Sequence, residues 1–80
     1  MSTGGGRFLR LVTPGFAEIY HLDDVNPETL QRSLQAYRVW LHSGPVKVWL
    51  WDGQSLVQVD PSLGAFILQD ALHTLDPLNY

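Results

Sequence analysis

Eighty residues, 45% hydrophobic and 16% charged, suffice for one small core and are too apolar for a disordered chain. The absence of cysteine removes disulfides and thiolate metal sites, and no apolar run reaches the ~18 residues of a membrane helix. With net charge −3 and five basic residues, the composition argues against nucleic acid as a partner, because phosphate neutralisation supplies most nonspecific affinity.

Met1 to Gly6 holds three consecutive glycines and no basic segment followed by an apolar one, so residues 1–6 read as a flexible tail rather than a leader. Residues 7–80 read as a single domain, expected in the cytoplasm and off the membrane. Phe8 to Thr13 and Phe16 to Leu22 flank Pro14-Gly15 and predict two strands joined by a turn. A three-residue loop places Leu9, Leu11, Ala17 and Ile19 on one face and Arg10, Glu18 and Tyr20 on the other.

Asn26 then offers an N-cap and Pro27 a first helical residue, while Val25 and Leu30 have the spacing of a hydrophobic staple. Leu30, Leu34, Tyr37 and Leu41 fall on one helical stripe, and Gly44-Pro45 signals a left-handed C-cap and a stop; the predicted helix is 27–42. Val46 to Trp51 and Leu56 to Val59 surround Asp52-Gly53, a type I′ hairpin signal. That turn opposes Trp51 to Gln54 and Trp49 to Leu56. It gathers Val46, Val48, Leu50, Val57 and Val59 on a core face and Lys47, Trp49, Trp51, Gln54, Leu56 and Gln58 on the other.

Asp60-Pro61 repeats the cap-plus-proline pattern, and Leu68, Ala71, Leu72 and Leu75 make a stripe that ends at Asp76-Pro77. A second helix is predicted at 62–75, although Gly64 weakens its first turn and residues 65–68 also suit a buried strand. The expected fold is therefore α+β: a four-stranded antiparallel sheet with two helices on one face, in the order ββαββα. An offset of 34 maps Asn26-Pro27 onto Asp60-Pro61 and Leu34 onto Leu68, a pattern that fits a ββα duplication and equally fits two unrelated amphipathic units.

Two constellations stand out. Trp49 and Trp51, beside Lys47 and opposite Leu56, form an aromatic patch on the sheet face turned away from the core. Ala36, Val39 and Trp40 lie behind the first helix, on the side opposite its apolar stripe. His21, His42 and His73 are too widely spaced for a local metal site, and Asp23-Asp24 sits where acids favour a helix N-terminus. No glycine loop that would cradle a phosphate and no nucleophile motif appears. The charges divide unevenly: residues 48–80 carry four aspartates and no basic residue, leaving +1 on residues 1–47.

These features predict no enzyme, no cofactor and no bound metal. They predict a small noncatalytic protein-interaction or regulatory module that meets a protein partner or forms a homodimer through its spare apolar patches. The alternative is a nucleic-acid-binding domain using the Trp49/Trp51 face, with bases stacked on its rings.

Overall fold

In the computed structural model, which describes residues 6–24 and 26–75, the elements run β1 (Phe8–Val12), β2 (Ala17–His21), α1 (Pro27–Leu41), β3 (Lys47–Trp51), β4 (Leu56–Val59) and α2 (Pro61–Leu75). The four strands form one antiparallel sheet in the order β2-β1-β3-β4, so each hairpin is intact and the two meet along β1 and β3. Alternation along β1 points Leu9 and Leu11 to one side, where they join Val48 of β3 beneath both helices. The fold is the expected ββαββα arrangement. Residues 1–5 of the anticipated 1–6 tail, Val25 of the staple, and the stop at Asp76-Pro77 lie outside the described residues.

The first hairpin differs from the expected register. Phe8 pairs with His21, Leu9 with Tyr20 and Leu11 with Glu18, because the loop is Pro14-Gly15 alone rather than three residues. Thr13 closes it: its Oγ1 accepts from the Gly15 and Phe16 amides, and its own amide donates to the Phe16 carbonyl at 2.8 Å. A one-residue change of loop length turns β2 over, so Tyr20 and Glu18 share the face of Leu9 and Leu11, while Ala17 and Ile19 join Arg10 on the other side. Tyr20 is buried edge-on against Tyr37, with ring centroids 5.7 Å apart, and Ile19 is left half exposed.

The second hairpin is also shifted, but by two positions. Trp51 opposes Leu56, Trp49 opposes Gln58 and Leu50 opposes Val57, around a Gly53-Gln54 loop. Gly53 takes φ 102° and no other residue of this turn has positive φ, which is the type II′ rather than the type I′ pattern. Asp52 explains the shift: its Oδ1 accepts from the Gln54 and Ser55 amides at 2.8 and 3.0 Å, holding it outside the loop as a flanking residue. A two-residue slip preserves the faces, so Val46, Val48, Leu50, Val57 and Val59 remain on the helix side.

Helix α1 begins as its sequence dictates, with Asn26 Oδ1 accepting from the Glu28 amide at 3.0 Å and Pro27 first in the helix. Asp24 Oδ1 in turn accepts from the Asn26 amide. At the other end His42, in an ordinary right-handed conformation, is the cap; Gly44 has φ 139° two residues further on and does not act as a left-handed cap. Asn26→Ala removes one capping bond and should lower stability by about 1 kcal/mol, read as a lower urea midpoint with unchanged slope.

Helix α2 starts at Pro61 and continues through 65–68, which settles those residues as helix. Gly64 is buried, and a Cβ built there would fall 2.7 Å from Tyr37 Cζ and closer still to its hydroxyl, which donates to the Pro61 carbonyl at 2.6 Å. Absence of a side chain is what lets α1 and α2 approach. The core comprises Leu9, Leu11, Tyr20, Leu22, Leu30, Leu34, Tyr37, Val48, Leu68 and Ala71. No helix among the described residues is long and apolar enough to cross a membrane.

Candidate functional site

Both helices lie on one side of the sheet, and no described element covers the other. The strand registers compose that outer face row by row: His21, Phe8, Trp51 and Leu56 in one row; Ile19, Arg10, Trp49 and Gln58 in the next; Ala17, Val12 and Lys47 in a third. The central strands β1 and β3 thus carry the aromatics, where neighbours on both sides hold them upright. Phe8 and Trp51 stack with centroids 6.2 Å apart and planes 21° from parallel, and His21 meets Phe8 edge-on, also at 6.2 Å. Phe8, Trp49 and Trp51 are all partly exposed.

Charge on this face has one sign. Arg10 and Lys47 stand beside Trp49, and none of the strand residues on this side is acidic. Asp60, which follows β4, acts on Tyr37 on the helix side, and three other nearby carboxylates are engaged elsewhere. Glu18 projects from the helix side of β2, and Asp52 is bound by its own turn, whose amides hold its carboxyl below the usual range. Asp23 accepts from the Arg7 side chain and backbone amide, which also lower its pKa and clasp the end of β2 to the start of β1.

Four of the predicted interaction residues, Lys47, Trp49, Trp51 and Leu56, share this surface. The other three do not form a second patch of the expected kind. Trp40 packs on Phe16 of the first turn, with centroids 4.4 Å apart, and is only partly exposed; Ala36 and Val39 face solvent, Val39 at 61% exposure. A loop aromatic supplies the cover that the back of α1 required. Phe8 and Arg10 complete the outer face and were legible only as the alternate residues of β1.

A second surface was not anticipated. β4 is a sheet edge without charge, proline or bulge, and Val57 is 49% exposed although it points to the helix side. The helices sit over the sheet centre, where α2 touches β3, and leave the edge uncovered. Leu50, the register partner of Val57, shares a groove with Phe66 of α2, and Phe66 is 68% exposed. Val57 and the half-exposed Leu56 lie on β4 itself, on its two faces, while Leu63 and Phe66 are exposed on α2.

Among the described residues no three His, Asp or Glu side chains converge in a metal-binding cluster, and no charged side chain is buried. The Tyr20 hydroxyl is buried and lacks a hydrogen-bond partner there; burial, then the Glu18 charge, raise its pKa, with Trp40 beside it acting in the opposite sense. No protein-family model, curated protein or solved structure matches the chain.

Proposed function

We propose that the chain is a small noncatalytic protein-interaction or regulatory module that self-associates along the β4 edge. The observation that carries this reading is Val57, an inward-facing valine left half exposed on an unprotected edge strand. An edge presents unpaired amides and carbonyls that accept another extended strand, and natural edges are ordinarily guarded by charge, proline or a bulge. β4 has none of these, so antiparallel pairing with the β4 of a second copy places no like charges together. Pairing of four-residue strands alone falls short of the ~1,200 Å² typical of a stable interface. The dimer that this edge supports is therefore a weak one.

Sedimentation equilibrium at tens of micromolar tests this. The parent should be a dimer, and Val57→Lys a monomer with an unchanged circular dichroism spectrum; Trp49→Ser should leave the dimer intact. A parent that remains monomeric, or a dimer indifferent to Val57→Lys, overturns the proposal.

A further inference from the structure

We propose that the outer sheet face is a binding site for single-stranded nucleic acid, with bases stacked on Trp49 and on the Phe8–Trp51 pair and phosphates met by Arg10 and Lys47. This site is separate from the β4 edge and stands whether or not the chain dimerises.

Net charge −3 describes the molecule, not this face. Two of the five basic residues lie here, and the face holds none of the acidic residues among its described strand positions. The remaining charge acts from behind the sheet or from the rim and is screened over ~8–10 Å, whereas stacking and direct phosphate contact act at short range. Self-pairing of this same surface meets an obstacle. A two-fold, face-to-face contact would bring Arg10 and Lys47 of both copies together with no carboxylate to neutralise them, an arrangement that interfaces avoid. The occupant that complements the face is anionic and presents flat apolar surfaces.

Single-stranded nucleic acid has both properties, since every base offers a π-face and every linkage a negative charge. Trp49 and Trp51 are two residues apart on one strand, roughly 7 Å, far enough for separate bases to meet separate rings. Arg10 pairs in register with Trp49, and Lys47 precedes it by two positions on the same side, so the cations flank the stacking platform. A rigid duplex keeps its bases stacked on one another and cannot offer those faces. An acidic polypeptide would satisfy the cations but leave the rings without flat partners.

The test is tryptophan fluorescence of the full chain titrated with a short oligothymidylate, its duplex, and poly-glutamate. Oligothymidylate should bind at micromolar concentration. Two neutralised phosphates give a log–log salt slope of about −1.4, so raising salt four-fold should weaken binding about seven-fold. Trp49→Ala should weaken it about ten-fold or more. An Arg10→Gln, Lys47→Gln double variant, which leaves the core untouched, should flatten the salt dependence and keeps the test decisive if Trp49→Ala fails to fold. Absence of binding at about 100 µM oligonucleotide, salt dependence unchanged in the double variant, or equal binding of the duplex overturns the proposal. Poly-glutamate bound as tightly as oligothymidylate overturns it in favour of an acidic protein partner.

Discussion

Gly64→Ala should destabilise the protein by about 3 kcal/mol, although alanine is the better helix former by roughly 1 kcal/mol. The added methyl meets the Tyr37 ring, 2.7 Å from Cζ and nearer to the hydroxyl, and Tyr37 is 0% exposed, so the ring has no free space to enter. Either α2 moves away from α1 or the hydroxyl abandons the Pro61 carbonyl. The first loosens packing around Leu68 and Ala71; the second leaves a buried donor unpaired, which alone costs about 1–3 kcal/mol. Tyr37→Phe removes the atom nearest the new methyl. In the Gly64→Ala background it should therefore be less harmful than in the parent, with a coupling of at least about 1 kcal/mol in a urea-based double-mutant cycle. A Gly64→Ala protein as stable as the parent would show that the helices do not meet in this way.

Alkaline conditions should destabilise the fold through the buried Tyr37 hydroxyl. Burial, followed by the Asp60 charge and then Tyr20, pushes the Tyr37 hydroxyl up to about 12 from an ordinary value near 10. Below pH 10 both folded and unfolded chains keep this proton, and it contributes no pH dependence. Between pH 10 and 12 the unfolded chain releases it first, so stability falls by about 1.4 kcal/mol per pH unit, or roughly 2–3 kcal/mol across the window. Denaturant midpoints measured from pH 9 upward should decline in the parent and decline less in Tyr37→Phe, where the Tyr20 contribution remains. Parallel curves for the two proteins would place the Tyr37 hydroxyl in water.

Local signals were legible and spatial ones were not. Asn26-Pro27 announced α1 because a cap and a fixed φ act within a few residues. The outer aromatics followed from alternation in β3, and they survived a register error because the slip was two residues and side chains repeat every two. In the first hairpin the error was one residue, and it exchanged Tyr20 for Ile19 in the core. Nothing local distinguishes a two- from a three-residue loop when Pro14-Gly15 fits either. Gly64 looked like a weakness in α2, since its reason is a tyrosine on another helix. Trp40 looked uncovered because Phe16 reaches it from a turn, and the exposed Val57 depended on knowing that β4 is an edge.

The seam between β1 and β3 has a consequence for the order of assembly. Each hairpin closes over two residues, whereas Phe8 reaches Trp51 only after β2 and α1 have been looped out between them, and closure entropy rises with loop length. The hairpins are therefore early, local events, and the five-pair seam is a late one. Before it forms, Phe8 and Arg10 belong to one fragment and Trp49 and Trp51 to another. The outer face is in this sense a proof of completion: a ligand that needs both strands ignores every half-built chain and captures the finished molecule alone.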